Sequence, residues 1–220
     1  MKQRLLVIVI IALMIAAGAL AWPLLPEIVP TRYGPDGAPN AYGPRWVAAF
    51  LMPVIAVVVA VLFSAAPRID PLTRRDPQRF SYERFLPTLR RWELAILGFL
   101  LLAHLVQLAG ALGWQGEPMR LVLGGMGLLF AVLGNEMGRL RPNSFAGIRV
   151  PWLMNDDAAW RRAHRWGGRW FVIGGVAAFF CALALPLAAA SMAAIGCVVG
   201  ATAATLIGSC VAALRTSLEA

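Results

Sequence analysis

The sequence predicts an all-α integral membrane protein built as a bundle of about six transmembrane helices. Three observations carry that expectation. Of 220 residues, 60% are hydrophobic and only 14% charged, with a mean hydropathy of +0.70; a soluble domain needs more polar surface. The apolar residues fall in blocks that approach or exceed about 18 residues, the length of a membrane-crossing helix. No stretch sustains the apolar–polar alternation of a barrel strand.

Taken in order, the first span is read over Leu5–Trp22. Its start at Lys2 and Arg4 resembles a secretory signal. Its apolar stretch exceeds a signal core, however, and no clear small-residue cleavage pattern follows, so it is read as a span. The second is expected over Trp46–Ala66, the third over Leu94–Leu112 and the fourth over Met119–Met137. The fifth and sixth share one apolar run from Trp170 to Leu214, too long for one crossing. Pro186 and Ser191 mark the expected turn within it. The chain then divides into 1–66, holding two spans and a Pro/Gly-rich outer loop at 23–45; a basic loop at 67–91; and a four-span region at 92–220.

The charge pattern orients the bundle. Seventeen of the 20 Lys and Arg residues lie at the N-terminus, in 67–91, in 139–169 and at Arg215; Arg32, Arg45 and Arg120 lie on the other side. Basic loops stay in the cytoplasm. Both termini are therefore expected on the cytoplasmic side of the membrane, and an even number of spans agrees in placing them on one side. The net charge of +9 is read as topology and contact with anionic lipid, not as direct nucleic-acid binding. The three cysteines lie inside apolar runs without a CxxC, and two isolated histidines make no metal motif, so no cofactor or metal is expected.

Two polar segments stand out. The outer loop, "WPLLPEIVPTRYGPDGAPNAYGPRW", is too rich in proline and glycine for a helix, and its Pro-Asp-Gly and Asn40 suit consecutive turns. Its aromatic residues allow two readings: a stiff connector anchored at the headgroups, or a preformed binding surface with Tyr33, Asp36 and Tyr42 as contacts. The inner segment, "RPNSFAGIRVPWLMNDDAAWRRAHRWGG", opens extended around Pro142, Gly147 and Pro151. A short interfacial helix is then expected, capped by Asn155, carrying Trp160 and His164 on one face, and loosened by Gly167 and Gly168 before the fifth span. Polar groups within spans are few. His104 and Gln107 are read either as interhelical hydrogen-bonding groups or as part of a transport path. Asn135 and Glu136 precede Arg139 and Arg141, where salt bridging is expected. "GCVVG" at 196–200 points to close packing in the bundle or between subunits of a homo-oligomer.

The stretch from 134 to 175 resembles the shared segment of the SdpI family of bacterial membrane immunity and signalling proteins. The matching positions are Gly134, Asn135, Pro142, Asn143, Gly147, Ile148, Arg149, Pro151, Trp152, Trp160, His164, Arg165 and Gly168. Val150 and Ala163 depart from it. The outer loop is similar to the N-terminal domain of unknown function of the same family, with Arg32 where histidine is usual. The resemblance implies a non-enzymatic protein that protects against an extracellular antimicrobial peptide, with capture of a cytoplasmic transcriptional repressor as a second role. Candidate binding residues are Tyr33, Asp36 and Tyr42 outside, and Asn135, Asn143, Arg149, Trp152, Trp160, His164 and Arg165 inside. On this reading His164→Ala impairs function more than folding. The alternatives are a membrane enzyme acting on a lipid-linked substrate, with arginines clamping phosphate and His164 as acid or base, and a small transporter.

Overall fold

A computed structural model describes residues 2–114 and 116–219, with side chains as far as residue 211. Arg215, counted above, lies outside the described side chains. Six helices are long and apolar enough to cross a membrane. α1 is Lys2–Ala21, α2 Met52–Ile69, α4 Leu86–Ala111, α5 Pro118–Met137, α7 Asp157–Ala184 and α8 Leu187–Glu219. Two short helices lie between them, α3 at Pro71–Arg75 and α6 at Pro151–Met154. The all-α multi-pass class is thus observed. α1, α4 and α7 begin in polar sequence and run on into their apolar stretches, and proline opens α3, α5 and α6, where its missing N–H costs nothing.

The helices form two groups of three. α1 and α2 pack on α4, around Met14, Ala56 and Leu97. α5 and α8 pack on α7, around Leu123, Ala178, Ala182 and Ala194. The α4–α5 contact joins the groups. The α5–α7 crossing is a glycine contact at two levels. A Cβ on Gly127 would lie 2.6 Å from the Gly175 carbonyl oxygen, and one on Gly134 would lie 2.7 Å from that of Gly168. Both steps are one heptad, so the same faces meet twice and the backbones touch.

Several expectations need correction. The outer loop is not a series of turns but a two-stranded antiparallel hairpin, β1 at Ile28–Tyr33 and β2 at Pro39–Pro44. The Pro-Asp-Gly turn forms its tip, with Gly37 at φ +81°. Prolines sit at strand positions because a two-stranded ribbon has two free edges. Asn155 does not cap the helix. Asp156 does, its carboxylate accepting from the Ala158 and Ala159 amides at 2.7 and 2.9 Å, while Asn155 ends α6. Gly167 and Gly168 do not loosen the chain: α7 runs unbroken from the polar segment into the span, because tight packing of these glycines against α5 and α8 offsets their low propensity. The last turn is a sharp break at Leu185 and Pro186, and Ser191 lies within α8. Gly196 and Gly200 have no neighbouring atom within 4 Å of a Cβ position. They mark an open face of α8, whereas α7 meets α8 through Gly174, close to the Cys197 carbonyl.

Candidate functional site

The polar residues gather at the two ends of the bundle, one carrying the hairpin and the other the arginine-rich motif. At the motif end, the extended run from Leu140 to Val150 folds over the first turns of α7. Asn143 is fully buried. Its Oδ1 accepts from the Phe145 and Ala146 amides at 2.8 and 2.7 Å, and its Nδ2 donates to the Arg141 and Ala146 carbonyls. One side chain thus satisfies a turn that forms no regular ladder. Trp160 is also fully buried, its indole N–H donating to the Leu140 carbonyl at 3.0 Å. His164 stacks on it, with ring centroids 4.0 Å apart.

The His164 hydrogen bonds fix its proton. The Ile148 amide can only donate, so Nε2, 2.9 Å away, accepts and carries no hydrogen. Nδ1 then carries the proton and donates to the Trp160 carbonyl at 2.9 Å. Gly147 makes this possible. Its φ is +102°, and a Cβ there would stand 2.4 Å from His164 Nε2.

The basic loop is docked onto this motif. Asp70 is fully buried and caps α3 through the Leu72 amide at 2.8 Å. It also accepts from Tyr82 Oη at 2.6 Å and from the amide and hydroxyl of Ser144 at 2.9 and 2.7 Å. Burial first, then the hydrogen bond and charge of Asp70, raise the pKa of the Tyr82 phenol, so it stays a donor. Phe85, Leu89 and Trp92 share one apolar core with Leu140, Leu153 and Trp160. Glu136 pairs with Arg139 at 2.6 Å and Arg91 at 2.9 Å, the salt bridging expected near Arg139. Arg79 pairs with Asp157 at 3.0 Å. Asp70 and Tyr82 carried no sequence signal for this role. The Asp-Pro pair marks a helix start, but a partner 74 residues away cannot be read locally.

The structure therefore separates the inner candidates. Asn143, Trp160 and His164 are interior. Asn135, Arg149, Trp152 and Arg165 are exposed. Arg149 donates to the Ser144 carbonyl, and Trp152 stands out at 47% exposure, away from the Trp160–His164 stack. A partner meeting this face touches the exposed group only.

At the other end, the hairpin lies across both helical groups. Its base closes with the Arg45 amide donating to the Glu27 carbonyl at 3.0 Å. Gln107 of α4 donates to the Pro30 carbonyl, and the Tyr33 hydroxyl lies against Gly110. Near the tip, Ser191 of α8 donates to the Pro35 carbonyl at 3.0 Å, and Leu187 packs against Gly37. Of the three outer candidates, Asp36 and Tyr42 are exposed and Tyr33 is half-buried. Asp36 also accepts from the Ala38 amide at 3.1 Å, which shapes the turn. His104, fully buried, donates through Nε2 to the Met14 carbonyl at 3.0 Å and so ties α4 to α1.

The hairpin group and the motif group also part in comparison with known proteins. Residues 139–213 match the SdpI/YfhL protein family. The resemblance read from the motif is thereby shown. The SdpI segment covers the folded motif, α7 and most of α8, while residues 9–57, holding most of α1, the hairpin and the start of α2, match a domain of unknown function, DUF1648. The chain is 25% identical over 178 residues to a protein named Immunity protein SdpI from Bacillus subtilis (strain 168), spanning 80% of this chain and 79% of that protein. No solved structure matches.

Proposed function

We propose that this chain is an SdpI-like immunity protein of the bacterial cytoplasmic membrane, which protects the cell against an extracellular antimicrobial peptide. In this reading the hairpin faces out, and both termini and the arginine-rich motif face the cytoplasm, as the distribution of basic residues favours. The similarity to a protein named for immunity supports the activity. The observation that carries the mechanism is the hairpin, held to α4 by Gln107 and to α8 by Ser191. A surface fixed in advance loses little entropy when a peptide binds. Tyr42 and Asp36 present an aromatic face and a carboxylate there, the groups a cationic amphipathic peptide would meet. On the cytoplasmic side, Arg149 and Trp152 are the exposed groups through which a soluble repressor would be held.

The enzyme reading loses its acid–base group. Both His164 nitrogens are engaged by backbone, and the ring is sealed from solvent. The transporter reading has no observation in its favour, since His104 and Gln107 serve as ties between elements.

The test is a strain lacking the gene, challenged with a panel of membrane-active peptides. Greater sensitivity to at least one of them, reversed by the wild-type gene, is the expected result. Equal sensitivity of the two strains across the panel rejects the reading.

A further inference from the structure

A groove of about 550 Å³ runs between α7 and α8 at the motif end. Its rim carries Arg162, Arg165 and Arg169, at helical positions i, i+3 and i+7, which share one face. Its wall is Trp166, Trp170, Ile207 and Val211, and none of its described lining residues is acidic. The wall is fixed by its own contacts. The Trp166 indole N–H donates to the Ala204 carbonyl at 3.2 Å, and the ring lies over Gly208, where a Cβ would come within 2.0 Å of it. Trp170 meets Trp166 edge-on at 5.9 Å.

The depth of the groove says what can reach it. About 20 helical residues cross the hydrocarbon. Counted from Ala184, the end of α7, that length ends near Arg165. Counted from Leu187, the start of α8, it ends near Leu206. The arginines therefore stand at the headgroup boundary, where Arg169 reaches outward along its aliphatic stem. From that boundary Trp170 and Ala204 carry the apolar wall into the hydrocarbon zone, while Ile207 stands at its edge, exposed at 66%.

We infer that this groove binds one anionic phospholipid. Arg165 and Arg169 hold the headgroup phosphate by charge-assisted hydrogen bonds. Trp166, Trp170 and Ile207 bed the upper part of an acyl chain. A soluble acidic segment matches the charge but not the depth or the apolar wall. A zwitterionic lipid brings its own cation to the arginines and is disfavoured by repulsion. This inference does not depend on the immunity reading.

The test is native mass spectrometry of the purified full chain, titrated with phosphatidylglycerol or with phosphatidylcholine of the same acyl chains. Wild type is expected to retain one phosphatidylglycerol in preference to phosphatidylcholine, and inorganic phosphate is expected not to displace it. Arg165→Gln with Arg169→Gln should weaken that retention by about thirtyfold, the factor implied by losing two near-surface cations. Ile207→Trp alters an exposed side chain, leaves the arginines in place and should weaken retention of either lipid by filling the acyl groove; it decides the matter if the double variant does not fold. Equal retention of both lipids by wild type overturns the assignment. So does phosphatidylglycerol retention unchanged in the folded variants, which would leave the arginines to an acidic protein partner.

Discussion

At the scale of the residue, the motif is a set of backbone ties. Its buried polar members each satisfy groups the irregular chain leaves open. Asn143 serves a turn, Trp160 the Leu140 carbonyl and His164 the Ile148 amide. This changes what mutation should do. His164→Ala strands the Ile148 amide and should cost about 1–3 kcal/mol of stability, with a further loss from the missing stack on Trp160. Protection per folded molecule should stay intact, the reverse of the order expected from sequence. Thermal unfolding in detergent, run beside protection normalised to folded protein, checks it. Gly147→Ala should destabilise by roughly 1–3 kcal/mol from its left-handed backbone alone, and more because the new Cβ meets His164 Nε2. These residue types and their spacing were legible in the sequence. The inward face of Trp160 and His164 could also be read there; what covers it could not, because Phe85, Leu89 and Trp92 come from the end of the distant basic loop and the start of α4.

At the scale of the element, the six spans were legible because a hydrocarbon solvent demands long apolar runs. The hairpin was not. Its strands are short, rich in proline and glycine, and stabilised by α4 and α8 rather than by strand propensity. Ser191→Ala combined with Gln107→Leu should free it from both supports. Hydrogen exchange of the amides in residues 28–44 should then speed up by at least about tenfold, as loss of a typical hydrogen bond near 1 kcal/mol at each support implies. Unchanged exchange would mean that the base of the hairpin alone holds it. Of the two readings of Gly196 and Gly200, packing within the bundle is the one the open face of α8 corrects. A G-x-x-x-G spacing shows that two backbones can approach, not that they do. Gly175→Val should disrupt the α5–α7 crossing and lower thermal stability sharply, because its Cβ would meet the Gly127 carbonyl oxygen at 2.5 Å. Gly196→Val, on an open face, should leave the stability of the monomer nearly unchanged.

At the scale of the whole molecule, two three-helix groups are bridged at both ends, by the hairpin at one and by the docked basic loop and motif at the other. The faces lie about one hydrocarbon thickness apart, roughly 30 Å, and carry different exposed groups. The proposed topology, which the charge asymmetry favours, makes a prediction: in a cysteine-free background, an impermeant maleimide should label a cysteine placed at residue 37 in intact cells and leave one at residue 155 unlabelled. The central claim is that the hairpin surface meets the peptide while the motif is its scaffold. Survival against the cognate peptide tests this most directly, measured for Tyr42→Ala with Asp36→Ala and for Arg149→Ala, each at wild-type membrane levels. The account predicts that the hairpin variant dies like the deletion strain and the Arg149 variant survives. Survival of the hairpin variant with death of the Arg149 variant would contradict it.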